Sequence, residues 1–317
     1  MPVLLIIALS IAGILALIAV ISAILVITLI LRKPVIDIAN DRIVRMTQLK
    51  EYIPLLSESI ARLNNMQKER IIRKSHDGHD LVAYFFPCEN NPTSKKYAVL
   101  MHGYASCGKN DFAMGVEYFN GMGYNVLLPD HRAHGESGGK YISFGILERL
   151  DCKMWAEYLV ERFGEDIKIL LGGMSMGATT VLLTSELDLP HAVKGIYADC
   201  GFTEPIEELR HIAKSFLHVS GIPILIIAKI ICKKLAGFDV TERSTIDALK
   251  NSKKPILFIH GKSDKLVPYR FSEQNYNACV SEKMLLVVDG GKHGTSFFTD
   301  SKGYKKKVEE FVSKYID

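Results

Sequence analysis

The hydrophobic positions of the 317-residue chain form three successive patterns. Residues 3–31 are an uncharged apolar run. The next apolar side chains recur at the spacing of an amphipathic helix: Leu49, Ile53, Leu56, Ile60 and Leu63. Beyond residue 68, short apolar runs alternate with longer segments of helical periodicity. We therefore expect an anchor at residues 1–33, a helical connector at 34–67 and a folded domain at 68–317.

The first run is long enough to cross a membrane. A spanning helix needs about 20 apolar residues, whereas the apolar core of a signal peptide has about 7–15. No basic segment precedes the run, and no clear small-residue cleavage site follows it. The pattern favours an uncleaved single-pass helix that contacts membrane lipid through residues 3–31. A cleaved signal sequence and a buried core helix are the alternatives.

The second pattern predicts a juxtamembrane helix pair within residues 40–68. Pro54 is expected to kink or break the run, because proline lacks the backbone N–H that a helix interior needs. We interpret the stretch as a connector that packs on the folded domain rather than as a site for a specific partner.

The third pattern predicts eight strands. Asp77-Gly78 marks a hairpin between the first two. Most of the gaps between the later strands carry helical periodicity, which is typical of a mostly parallel sheet with helices on both faces. The strand segments are "ERIIRKS", "LVAYFFP", "YAVLMH", "YNVLLP", "IKILLG", "VKGIYAD", "PILFIH" and "MLLVVD".

One gap, residues 200–254, is longer than a simple crossover needs. It contains two segments of helical character, and we expect a helical cap at about residues 201–250 over the C-terminal edge of the sheet. Ligands of open α/β sheets bind at that edge. The apolar segment from Ile222 to Ile231 is either the core of this cap or a surface that dips into lipid.

Charge and cysteine content indicate which partners and which cellular compartment the chain suits. The formal net charge is +4, and residues 32–74 hold ten Lys/Arg against five Asp/Glu. A basic stretch beside an apolar segment indicates anionic lipid rather than nucleic acid, for which no motif is present. Because the basic residues follow the apolar run, the positive-inside rule places the folded domain in the cytoplasm. The six cysteines are scattered, which favours free thiols.

The segment "LLGGMSMGATTV" contains a G-x-S-x-G motif between a predicted strand and a predicted helix. In that setting the motif is a nucleophile elbow, a sharp turn that lifts Ser175 above the sheet. A side chain on either flanking glycine would clash in so tight a turn. Ser175 is thus the candidate nucleophile.

A serine nucleophile needs a base, and the base needs a carboxylate that orients it. Asp264 follows the strand "PILFIH" and His293 follows "MLLVVD", so both lie at C-terminal strand ends on the same rim as Ser175. Asp199, at the end of "VKGIYAD", is the competing acid. For the oxyanion, the expected donors are the backbone N–H groups of Met176 and Tyr104.

The motifs "HGYASCG", "PDHRAHGESGG", "GMSMGA", "HGKSDKLVP" and "GKHG" occur in the order found in the α/β-hydrolase superfamily, and residues 68–317 resemble it. More narrowly, the chain resembles bacterial membrane-anchored hydrolases of the monoacylglycerol-lipase and serine-aminopeptidase-like (S33) group. Members of that group are described as cell-surface hydrolases, so an extracellular domain is the alternative to the cytoplasmic one. The chain departs from lipases with an HGGG loop, since Tyr104 follows a single glycine here.

The resemblance implies a serine hydrolase that cleaves an ester through an acyl-enzyme, of the carboxylesterase or monoacylglycerol/lysophospholipid lipase type. A hydrophobic or lipid-like acyl ester is the expected substrate. A peptidase or thioesterase with the same triad is the alternative, and a non-catalytic tethered binding module is a third reading. No cofactor or metal is expected. We interpret His131 and His134 as loop residues, and His102 and His260 as structural hydrogen-bonding groups.

Overall fold

The structure is a computed structural model, and it describes residues 2–34, 49–215 and 221–317. Helix α1 covers Pro2–Ile30. After the gap, a 3₁₀ turn at Lys50–Tyr52 leads into α2, Ile53–Asn65. Pro54 lies in the first turn of α2, where its missing N–H is not needed, so it starts this helix and does not bend it. The N-terminal part of the expected connector, residues 35–48, lies outside the described residues.

A single eight-stranded sheet forms the centre of the domain, with the strand order β1-β2-β4-β3-β5-β6-β7-β8. The first two strands form an antiparallel hairpin, β2 pairs antiparallel with β4, and all the later pairs are parallel. The predicted α/β architecture is confirmed. The strands are β1 Glu69–Lys74, β2 Asp80–Phe86, β3 Lys96–Met101, β4 Tyr124–Pro129, β5 Lys168–Met174, β6 Val193–Asp199, β7 Ile256–Gly261 and β8 Lys283–Val288.

Helices cover both faces of this sheet and bury two apolar cores. One core lies under α4 (Glu148–Phe163) and α5 (Met176–Thr184), with Trp155 fully buried at its centre. The other lies under α2, α3 (Gly108–Gly121) and the C-terminal α11 (Ser301–Tyr315), and contains Phe119 and Phe311. Two shorter helices lie in the C-terminal part of the chain: α9 (Arg270–Ala278) and α10 (Ser296–Thr299). The six cysteines are all buried, and none forms a disulfide.

The long segment between β6 and β7 is helical. It contains α6 (Pro205–Ser215), α7 (Ile222–Ile231), a π-helical turn at Cys232–Ala236 and the short α8 (Thr245–Leu249). Residues 216–220 lie outside the described part. Helix α7 buries Ile224, Leu225 and Ala228 in an apolar cluster.

The end of α1 packs against this helical segment. Ser22, Val26 and Ile30 are the buried positions of α1, and the last two belong to the same cluster as the buried face of α7. At the last residue of the helix, the Ile30 carbonyl accepts from the N–H of Ile142. Just beyond the helix, the Arg32 side chain donates to the carbonyl oxygens of Gly135 and Ser137. The apolar helix is therefore joined to the domain by packing and by hydrogen bonds.

Candidate active site

Ser175 lies between β5 and α5, at a sharp turn that requires glycine at the flanking positions. Its backbone has φ 56° and ψ −117°, a left-handed conformation that a non-glycine residue adopts only under constraint. A Cβ on Gly173 would come 2.2 Å from the Gly177 carbonyl oxygen, and one on Gly177 would come 1.8 Å from that of Met101. Both glycines are thus required for α5 to approach the ends of β3 and β5 so closely.

The structure brings the three candidate triad side chains together, although they come from three different loops. His293 Nε2 lies 3.0 Å from Ser175 Oγ, and His293 Nδ1 lies 2.7 Å from Asp264 Oδ2. A carboxylate accepts, so Nδ1 carries the proton and Nε2 accepts the hydrogen bond of the serine hydroxyl. This is the tautomer that a general base toward Ser175 requires.

The surroundings of Asp264 keep its carboxylate ionised and fixed. Its Oδ1 accepts hydrogen bonds from the backbone N–H groups of Leu266 and Val267, both at 2.9 Å. Burial opposes ionisation, but hydrogen bonds from His260 and His293 outweigh it and lower the pKa of Asp264 to about 2. The fully buried His260 ring is itself held, because Nε2 donates to the Val267 carbonyl and Nδ1 accepts from Ser272 Oγ.

Asp199, the competing acid, has different partners. Its Oδ1 accepts from Ser296 Oγ at 3.4 Å, and the Tyr304 side chain also hydrogen-bonds to it. Burial raises the pKa of Asp199 to about 6. The carboxylate in contact with His293 is therefore that of Asp264.

The loop after β3 lies directly beside the serine. A Cβ on Gly103 would come 3.4 Å from Ser175 Cβ, and the Gly103 N–H donates to Asp111 Oδ2 at 2.6 Å. Within the described residues, the N–H groups of Tyr104 and Met176 donate to no other group of the protein. They are available for an oxyanion at the N-terminus of α5, where the helix dipole also favours negative charge.

Three histidines brace this loop instead of facing the cavity. The His131 N–H donates to His102 Nε2, and His102 Nδ1 donates to the Gly103 carbonyl. His134 accepts from the Ala105 N–H. Burial lowers the pKa of all three imidazoles, that of His131 to about 3, so they are neutral. They fix the backbone on which the Tyr104 N–H depends.

Among the described residues, one group of side chains could offer ligand atoms to a metal ion: Cys200, Asp264 and His293, whose atoms lie within 4.8 Å of one another. Two of these three already bind each other through the short His293–Asp264 hydrogen bond. Burial raises the pKa of the Cys200 thiol well above its usual value, which disfavours the thiolate that metal binding requires. Asp264 and His293 belong instead to the hydrogen-bonded series that ends at Ser175.

A cavity of about 310 Å³ opens beside Ser175 and His293. Most of its wall is apolar, and α3, α10 and the segment of residues 49–65 supply the large side chains: Phe112, Tyr118, Phe297, Phe298, Leu49 and Leu56. The segment of residues 49–65 is held there by a stacked pair of rings, Tyr52 on Phe298, with centroids 4.4 Å apart. It is also held by the ion pair of Arg62 with Glu117 on α3.

Comparisons with known proteins agree with this architecture. A family model described as the alpha/beta hydrolase fold matches residues 99–221, and one described as TAP-like protein matches residues 225–314. These matches, together with the observed fold, support the α/β-hydrolase superfamily. Membership in the narrower S33 group stays a prediction.

Individual relatives cover most of the chain. The uncharacterized protein YqkD of Bacillus subtilis is 29% identical over 252 residues, 80% of this chain and 81% of that one. YfhR of Escherichia coli K12 is 23% identical over 74% of this chain and 77% of its own. Among solved structures, the esterase Pf2001 of Pyrococcus furiosus has a TM-score of 0.65 at 24% identity, and the match covers 81% of this chain and 95% of that one. Similarity at this level shows a shared fold.

Sequence reasoning missed several residues around the site. Leu49 and Leu56 carried a helical signal, but the signal did not indicate that they face the cavity. His260 was interpreted as a structural residue, yet it contacts the Asp264 carboxylate at 3.4 Å. Its spacing of four residues before Asp264 was the available hint. Asp111 gave no recognisable signal, because an acid inside a helical pattern is ordinarily a solvent-facing residue.

Proposed function

We propose that the chain is a serine hydrolase that cleaves an ester of a hydrophobic acyl group. The observation that carries the proposal is the hydrogen-bonded line Ser175–His293–Asp264 beside an apolar cavity. The fold is shared with the Pf2001 esterase, which supports a hydrolytic reaction. The apolar wall favours an alkyl or aromatic acyl group over a charged one.

In the proposed reaction, His293 Nε2 takes the proton of Ser175 Oγ as that oxygen attacks the ester carbonyl carbon. The oxyanion accepts from the Tyr104 and Met176 N–H groups. His293 then protonates the departing alcohol oxygen, which leaves an acyl group on Ser175. Water, deprotonated by the same imidazole, releases the acid and restores the serine. Asp264 holds the ring and stabilises its charge throughout.

Labelling with a fluorophosphonate probe tests the nucleophile in the full-length protein in detergent. The wild type should be labelled, and Ser175→Ala should not be. Ser106→Ala is the matched control, because Ser106 also lines the cavity but hydrogen-bonds to Asp111. Persistent labelling of Ser175→Ala would show that another residue is the nucleophile and would refute the mechanism.

A substrate panel then separates the reaction classes, because the same triad can cleave amides and thioesters. p-Nitrophenyl esters, monoacylglycerols, acyl thioesters and peptide p-nitroanilides should be compared at equal enzyme concentration. We expect the esters to be cleaved fastest. If only the anilides or only the thioesters turned over, the protein would be a peptidase or a thioesterase.

We further propose that residues 1–33 are an uncleaved membrane anchor. Val3–Ile30 is apolar and long enough to span a bilayer, a test that a signal sequence would also pass. The basic residues that follow it support a cytoplasmic domain. Protease treatment of intact protoplasts should leave the domain whole, whereas digestion without lysis would place it outside. A mature N-terminus beyond Leu31 would refute the anchor.

A further inference from the structure

Helix α7 and the π-helical turn after it expose a row of large aliphatic side chains. Ile222, Ile226 and Ile230 are 67%, 54% and 48% exposed, and Leu235 is 53% exposed. The three isoleucines recur every four residues, so they lie along one face of α7. We call these four residues the α7 stripe. The opposite face is already buried in the cap, so α7 is apolar on both sides.

No comparable patch occurs elsewhere in the described parts of the domain. Apart from α1 and the α7 stripe, the exposed large aliphatic residues are scattered over separate elements: Leu55, Ile72, Leu266 and Val280. Single exposed aliphatic side chains are ordinary on soluble proteins, whereas a contiguous row marks a surface that something covers.

The position of α1 indicates what covers the stripe. Residues 3–21 of α1 are exposed except for the half-buried Ala19, and packing on the domain begins at Ser22. Nineteen helical residues extend about 28 Å, close to the roughly 30 Å of a bilayer's hydrocarbon core. If that part spans the bilayer, the segment of α1 that contacts α7 emerges at the membrane surface. Helix α7 then lies at the same level.

The charged residues around the α7 stripe are consistent with a position at the membrane surface. Lys229, Lys233 and Lys234 are exposed on α7 and the turn after it, and Lys33 follows the end of α1. Lysines beside an apolar helix face are typical of segments that lie in a membrane interface. There the aliphatic side chains enter the acyl region and the ammonium groups stay among anionic headgroups.

We propose that the α7 stripe inserts into the surface of the bilayer that α1 spans, with these lysines among the headgroups. The inference rests on the proposed anchor. The domain then has two attachments to one membrane, which fix its tilt, and its cap is held against the lipid.

Environment-sensitive labelling of the full-length protein tests this insertion. Ile226→Cys carries an NBD fluorophore, and Ile72→Cys on β1 is the matched control because Ile72 is 50% exposed. The unmodified chain measures background, since its own cysteines are buried. In phosphatidylcholine–phosphatidylglycerol vesicles, the emission of the probe at position 226 should shift to the blue, and acyl-brominated lipid should quench it. The probe at position 72 should do neither.

The outcomes separate this inference from the anchor. If the protein floats with the vesicles and the probe at position 226 emits as in water, the stripe does not insert. If the protein does not float, the anchor itself is wrong, and the inference falls with it. A second copy covers the stripe if two results coincide: unlabelled Ile226→Cys chains form disulfide-linked dimers, and the probe on labelled chains is shielded from water without being quenched by lipid. Ile230→Cys repeats the measurement one turn further along.

Discussion

The phenol hydroxyl of Tyr104 donates a hydrogen bond to the backbone carbonyl oxygen of Leu29 at 2.8 Å. Leu29 lies in the last turn of the apolar helix α1, and Tyr104 is the residue whose N–H we propose as an oxyanion donor. The Tyr104 ring also stacks on Phe144, with centroids 5.6 Å apart. The end of the proposed anchor therefore contacts the loop that would stabilise the transition state.

Tyr104→Phe should weaken this junction and leave the chemistry in place. The variant loses one hydrogen bond, worth about 1 kcal/mol, but keeps the ring and the backbone N–H. We expect a lower thermal unfolding temperature in detergent and an esterase rate reduced by no more than about tenfold. Tyr141→Phe is the control, because its hydroxyl makes no hydrogen bond within the described residues. A much larger loss of rate would give the hydroxyl a direct part in the reaction.

Asp264→Asn should lower kcat by about 10³–10⁴-fold, because an amide cannot hold the His293 tautomer that accepts the serine proton. Asp199→Asn should keep the rate within about tenfold, since Asp199 bonds Ser296 and Tyr304 instead. Steady-state hydrolysis of a p-nitrophenyl ester measures both. The reverse ranking would make Asp199 the acid.

The fold and the nearness of the three polar side chains could be predicted because they depend on local patterns. Each strand is a short apolar run, and parallel strands bring their C-terminal ends to one edge. Ser175, Asp264 and His293 each follow such an end, so topology alone brought them close. The glycines at positions 173 and 177 indicated which serine is the nucleophile, since a tight turn around Ser175 explains why both are there.

The wall of the cavity could not be predicted in the same way. The spacing of Leu49 and Leu56 indicates which face of the connector is apolar, but periodicity does not say what that face meets. The same limit applies to Val26 and Ile30 of α1, which have the character of lipid-facing residues yet pack in one cluster with the buried face of α7. Contacts between distant segments depend on the assembled fold, which one helix's pattern does not contain.

Leu56→Trp should shorten the acyl chain that the site accepts. Leu56 is 7% exposed and lines the cavity, so a larger ring there removes space from bound acyl groups. The ratio of kcat/KM for p-nitrophenyl octanoate over acetate should fall by at least about tenfold. Leu55→Trp is the matched control, because Leu55 is 41% exposed on the same helix. Equal chain-length profiles in both variants would show that α2 does not bound the acyl site.

Glu208 on α6 gives a prediction about stability and pH. Its Oε2 is buried and has no hydrogen-bond partner within the described residues. Burial and the nearby charge of Asp264 raise the pKa of Glu208 to about 8, from 4.5. The folded state thus holds a proton that the unfolded chain releases at lower pH. The resulting contribution to stability is fully present below about pH 4.5 and is lost as the pH rises through about 8.

Glu208→Gln removes this titration, so the variant should gain stability relative to the wild type as the pH rises from about 5 to about 9. The upper limit is a few kcal/mol, at about 1.4 kcal/mol per pKa unit. Urea unfolding of the full-length protein in detergent, followed by the fluorescence of the buried Trp155, measures the difference at each pH. Glu207→Gln is the control, because that side chain is 34% exposed and pairs with Arg210. A difference between Glu208→Gln and wild type that stayed constant with pH would mean that Glu208 is ionised in the folded protein. Its buried oxygen would then need a partner, and the fold would have to open to water at α6 to provide one.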